Sequence, residues 1–269
     1  MPRADIWKEK IFSFHVKRED EMPDLYEQYQ KGFHQEVYDE LLAMQEQIND
    51  PHLYEEALSI TRAMMSRVRS NIELLIPRLS TMGYLFRKGG FWDNFSPEGK
   101  ARIETEYPIF QPPTPETLEH VAVLEKLVGP LPLSLKCWFE EVGSVNLIGL
   151  FPSNEHAYGP VLDPLYVDSI EMVLQVVTRF REIGGWEEEP VLLLAPDRFH
   201  KYGYSGTGSY HIALPCKAVD APFLDEPHHT TFVNYLRLCF RWGGFPGLEG
   251  DNRLTPDELD FLTKDFLPF

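Results

Sequence analysis

Apolar residues recur along the first part of the chain at steps of three and four. Between Asp24 and Asn49 they fall at Leu25, Tyr29, Phe33, Val37, Leu41, Met44 and Ile48, which predicts one helix with one buried face. Asp50-Pro51 breaks the pattern, and it resumes at Leu53, Ala57, Ile60, Met64, Val68, Ile72, Leu75 and Leu79. Arg62, Arg67, Arg69, Glu73 and Arg78 occupy the other faces, while Pro77 is placed to kink or end this second helix. Two striped helices joined by a short turn form a hairpin. Such a pair buries too little by itself and needs a further surface to cover it.

From Gly83 to Pro113 the periodicity lapses. Lys88-Gly89-Gly90, Ser96-Pro97 and Pro112-Pro113 punctuate this stretch, yet Phe86, Phe91, Trp92, Phe95, Tyr107 and Phe110 are too many aromatics for a free linker. The expectation is a connector pinned against its neighbours. It closes a helical N-terminal region, 1–110, and leads into a second unit, 111–269.

That unit opens with Thr114-Pro115-Glu116, which predicts an N-cap hydroxyl, a proline in the first turn and an acidic residue near the positive end of a helix. Leu118, Val121, Leu124 and Val128 are its expected buried face, and Gly129-Pro130 its end. A second helix carries Leu135, Trp138, Phe139 and Val142 as far as Gly143. Ser144 to Pro152, Pro190 to Pro196 and Ser209 to Pro215 are short, apolar and turn-bounded, as strands are. Asp168-Ser169-Ile170-Glu171 has the form of a capping box before another helix, and Thr230 to Phe240 reads as the closing one. Helices, then strands with a helix between them, then a helix, argue for α+β rather than a doubly wound sheet. The expected core is Leu131, Trp138, Phe139, Val145, Leu147, Leu192, Leu194, Ile212, Phe232, Tyr235 and Leu236.

Charge adds a constraint. The chain has 25 basic and 42 acidic residues, 14 against 19 up to Phe110 and 11 against 23 from Gln111 onward. An acidic surface repels phosphate backbones and steers basic proteins inward, so the expected partner is a protein rather than nucleic acid. No apolar run is long enough to span a bilayer, and the start, Met1-Pro2-Arg3-Ala4-Asp5, does not read as a signal peptide, so the expected location is cytoplasmic. Cys137, Cys216 and Cys239 are widely spaced, without a CxxC pair, and read as small buried apolar residues.

The run LEKLVGPLPLSLKCWFEEVGSVNLIGLFP, Leu124 to Pro152, resembles the start of the SUKH superfamily, where a helix ends in glycine, a Leu-Pro pair opens a second helix and a glycine turn leads into the first strand. GYSGTGSYHIALPCKAVDAPFLDEP followed by TFVNYLRLCF is similar to that superfamily's ending. The resemblance covers about Thr114 to Phe245. It implies a SUKH-like sheet packed by helices, and a role as an immunity or regulatory protein that binds and neutralises or controls a partner, for example a toxin nuclease. It implies no catalytic residue and no cofactor.

The expected partner-binding patch is acidic: Glu140, Glu141, Asp163, Tyr166, Asp168, Asp220, Asp225 and Glu226. Glu140 and Glu141 end a helix, where the dipole disfavours carboxylates, and the others lie in loops of the kind that carry recognition. The competing reading is a hydrolase or metal enzyme built from Asp197, His200, His211, Asp220, His228 and His229, although no pair has the spacing of a ligand motif such as HExxH. Gly206-Thr207-Gly208 precedes a strand and lacks a P-loop lysine, so it reads as a turn. Glu187-Glu188-Glu189, after Trp186, reads as a solvated loop.

Overall fold

The computed structural model describes residues 24–151, 159–185, 190–251 and 253–269. The expectations placed on Met1 to Asp5, Pro152, Trp186 and Glu187 to Glu189 lie outside the described residues, as does the side chain of Phe91. The architecture is α+β, a helical N-terminal region followed by small antiparallel sheets packed by helices.

The predicted first helix is two, α1 (Leu25–Gln30) and α2 (His34–Met44), followed by a 3-10 turn at Gln45–Asn49. Gly32 takes φ +101 between them, so the chain turns and Phe33 is left exposed rather than on the buried face. Helix α3 (Pro51–Thr81) opens on Asp50, whose side chain accepts from His52 N. It continues through Pro77. Glu73 and Pro77 both face solvent, so the carbonyl that loses its partner can turn to water. The opposite stripe, Ile60, Met64, Val68, Ile72, Leu75 and Leu79, is fully buried, worth about 1.5–3 kcal/mol per side chain. It packs on α1 and on the helix around Trp138.

The stretch 83–113 is ordered structure: β1 (Leu85–Phe86), a 3-10 turn at Gly90–Asn94, α4 (Pro97–Glu106) and β2 (Phe110–Gln111). Helix α5 (Thr117–Val128) begins two residues later than an N-cap at Thr114 predicts. Thr114 does not cap it, and the shifted start leaves Leu118 at 63% exposure instead of in the core. Helix α6 (Leu133–Cys137) widens into a π turn over Trp138–Val142. Gly143 ends it at φ +93, where a Cβ would sit 2.1 Å from Gln111 O.

The predicted strand from Ser144 is broken into β3 (Ser144–Asn146) and β4 (Gly149–Leu150). A short α7 (Gly159–Leu162) precedes β5 (Tyr166–Val167). Helix α8 (Ile170–Glu182) is capped by Ser169 Oγ on Met172 N, while Asp168 stays out of the cap. Strands β6 (Val191–Ala195) and β7 (Tyr210–Ala213) form a hairpin, and α9 (Phe232–Arg241) is capped by Thr231, not Thr230. Helix α10 (Pro256–Thr263) carries a full capping box, Thr255 with Glu258. All eleven expected core residues are buried, and with the N-terminal stripe they form one continuous cluster from Leu25 to Phe269. Among the described residues no helix is long and apolar enough to cross a membrane.

Candidate functional site

Two-residue alternation sets up the site. Strands β2, β3 and β5 pair antiparallel, with Phe110 opposite Val145 and Val145 opposite Val167. That row faces the main core. Successive side chains on a strand point to opposite faces. The other face therefore carries Gln111, Ser144, Asn146 and Tyr166, register partners of one another, and Asp168 follows two residues after Tyr166. These five polar residues line a narrow cleft of about 30 Å³, flanked by Glu106 and Tyr107 at the end of α4.

Within it, Tyr166 Oη donates to Asp168 Oδ1 at 2.6 Å. Burial pushes the Asp168 carboxyl up to about 6, with the Tyr166 bond opposing that rise. Asn146 is 5% exposed. Its Oδ1 accepts from Ile148 N at 3.1 Å, which fixes the amide so that Nδ2 is the free end, and Nδ2 has no hydrogen-bond partner among the described residues. Tyr107 and Tyr166 also wall an adjoining pocket of about 410 Å³, together with Trp92, Phe95, Ile103 and Ile148. Trp92, Phe95 and Tyr107 thus form, with Ile103, Ile148 and Tyr166, a satellite core beside the polar sheet face.

The structure distributes the eight expected patch residues differently from a single acidic surface. Tyr166 and Asp168 are brought together. Asp163, Asp220 and Glu226 are interior and hold the fold. Asp163 receives Lys201 Nζ at 2.5 Å and Tyr210 Oη at 2.9 Å. Asp220 accepts from Tyr38 Oη, Ser134 Oγ and Val233 N, tying α2, α6 and α9 together. Glu226 accepts from His228 N and lies 3.0 Å from its Nδ1. Glu140 and Glu141 are explained by tertiary pairing with Arg62 of α3, at 2.9 and 3.9 Å, which supplies what the helix end does not. Asp225 is exposed, with His211 Nδ1 at 3.6 Å.

The residues of the competing enzyme reading do not converge. His200 Nδ1 lies 2.7 Å from Asp197, and its Nε2 accepts from Gly206 N. His211 lies against Asp225, His228 against Glu226, and Asp220 is sealed elsewhere. Gly206-Thr207-Gly208 wraps the Asp197 carboxylate so closely that a Cβ on Gly206 would fall 2.0 Å from Oδ2. Burial would raise that carboxyl, but N–H groups of Gly208, His200 and Phe199 outweigh it and hold it below the usual range. Cys137 and Cys239 are buried and Cys216 half-buried, and burial raises all three thiols, Cys137 to about 12. Among the described residues no group of three or more His, Cys, Asp or Glu is placed to hold a metal.

Sequence reasoning passed over Gln111, Ser144 and Asn146. Their signal was Ser-Val-Asn at 144–146 and Tyr-Val-Asp at 166–168, polar residues alternating with a core valine. No family model, curated protein or solved structure matches the chain.

Proposed function

We propose that this chain is a non-enzymatic protein-binding module of immunity or regulatory type, with a SUKH-like C-terminal half, whose partner is a basic protein such as a toxin nuclease domain. The observation that carries this reading is the fate of its reactive groups: His200, His211 and His228 each lie against a carboxylate, Asp197, Asp225 and Glu226 respectively, with no three such groups gathered to hold a metal among the described residues, while the polar cleft at Tyr166 and Asp168 lies beside an aromatic pocket. The acid excess, largest after Gln111, supports a basic partner through complementary charge. Contact then falls to Tyr166, Asp168 and the exposed Asp225, and not to Asp163, Asp220 or Glu226.

The test is co-purification of the tagged chain from its own host, identification of the retained protein, and reconstitution from purified components. Tyr166→Ala with Asp168→Ala should weaken the reconstituted complex, and added salt should slow association. A complex indifferent to both, or a purified chain with a stoichiometric metal and hydrolytic turnover, would overturn the reading.

A further inference from the structure

We propose that the junction of the polar cleft and the aromatic pocket seats an arginine side chain of the basic partner, its stem lying across the pocket and its guanidinium meeting Asp168 and Glu106. The inference rests on the binding-module reading and deepens it.

The acceptor is open to an incoming group. Asp168 is half-buried and its Oδ1 receives Tyr166 Oη at 2.6 Å, while Oδ2, which is not sealed, has no hydrogen-bond partner among the described residues. The cations lining the adjoining pocket are engaged elsewhere. Lys201 Nζ is held by Asp163 and the Pro164 carbonyl, and the His200 ring lies between Asp197 and Gly206 N. Arg102 is mostly exposed and stands 3.4 Å from Glu106, one turn along α4, a weak surface pair. The cleft itself is lined by two carboxylates, Glu106 and Asp168, and by no cation among the described residues. An occupant of complementary charge is therefore a cation.

Shape selects among cations. Glu106, Tyr107 and Tyr166 line both cavities and so stand at their junction. On one side is the narrow cleft of about 30 Å³, and on the other a pocket of about 410 Å³ walled by Trp92, Phe95, Ile103 and Ile148. An arginine stem is apolar and suits the wide part, while its planar head stacks on a tyrosine ring and enters a narrow cleft edge-on, N–H groups forward. A lysine ammonium is rounder and more strongly hydrated, and a neutral head leaves both carboxylates unanswered. Arginine is among the residues that carry most of the affinity at protein interfaces when seated in a pocket of this kind.

The full chain, labelled with carbon-13, is titrated with millimolar N-acetylarginine methylamide, and the Asp168 carboxyl signal, identified by its loss in Asp168→Asn, is followed. Citrulline, lysine and trimethyllysine, capped in the same way, change the head group, and free L-arginine tests for a small-molecule site in place of a side-chain seat. The capped arginine should shift the Asp168 signal and, at saturation, lower its titration midpoint from about 6 to about 5, because a neighbouring cation favours the carboxylate. Asp168→Asn should weaken the arginine probe by about tenfold, and Tyr107→Leu, which keeps an apolar wall without the ring face, by about threefold. Should Asp168→Asn fail to fold, Tyr107→Leu and the four other probes on the wild-type chain still decide the matter. A silent Asp168 signal, equal response to the citrulline probe, tighter binding of lysine, trimethyllysine or free arginine, or undiminished binding by Asp168→Asn would each overturn the inference. Reconstitution of the partner complex is a separate measurement. A complex that forms while the arginine probe stays silent removes the arginine seat and leaves the binding module, whereas a bound probe with no partner retained does the reverse.

Discussion

Asp168→Asn separates what the cleft needs from what the fold needs. Asp168 is partly buried, accepts from Tyr166 Oη, and shares its cleft with Glu106, Tyr107, Ser144 and Asn146 but with no cation. Burial raises its carboxyl from 3.8 to about 6 in the folded chain. The native state then binds more protons than the unfolded one between about pH 4 and 6, so stability falls as pH rises through that window. A rise of about two units at ~1.4 kcal/mol each sets a ceiling of about 3 kcal/mol, and partial exposure brings it nearer 2. The amide keeps the acceptor for Tyr166 and removes the charge. Asp168→Asn should therefore match the wild-type chain near pH 3.5–4 and exceed it by about 2–3 kcal/mol at pH 7.5, a Tm gain of about 5–10 °C for a chain of this size. Urea unfolding of both proteins across pH 4 to 8 measures it. A difference that stays constant across that range, or a variant less stable at pH 7.5, would refute the reasoning.

Asp220→Ala strands Tyr38 Oη, Ser134 Oγ and Val233 N inside the protein and should cost about 3–5 kcal/mol in urea unfolding. A cost below about 1 kcal/mol would mean that Asp220 does not tie α2 to the C-terminal half. Gly143→Ala places a Cβ 2.1 Å from Gln111 O at φ +93, so a loss of at least ~2 kcal/mol is expected and an unchanged Tm contradicts it. Tyr166→Phe removes the bond that opposes the rise of the Asp168 carboxyl, so its titration midpoint, read by carbon-13 NMR, should move above about 6, and a midpoint that falls counts against the geometry.

Local patterns were legible where burial is periodic. The α3 stripe and the expected core followed from spacing alone because each rests on contacts within one face of one element. Spacing is insensitive to a single inserted turn, so it carried the first helix through Gly32 and put Phe33 inside. Three members of the expected acidic patch, Asp163, Asp220 and Glu226, are interior for a different reason. A carboxylate in a sequence looks solvated until its donors are known, and those of Asp220 and Asp163 lie far along the chain, Tyr38 being 182 residues from one and Lys201 38 from the other. No local pattern reports such a pair.

Asp163 and Asp168 differ in how their charge is met. Asp163 is 1% exposed, yet Lys201 and Tyr210 answer its charge, and it needs nothing further. Asp168 lies only five residues on and has a single hydroxyl for company, while Asn146, opposite Tyr166 in register, keeps an unanswered N–H. Valines alternate with these residues on both strands, so apolar side chains on this face too would have given an ordinary two-sided core. A charge that opposes folding at neutral pH and a buried donor without an acceptor are separate departures from a consistent fold, and such departures concentrate at functional sites. Both fall in one cleft, with Tyr107 of the 83–113 segment in its wall, which makes the polar sheet face a candidate contact surface beside the exposed Asp225.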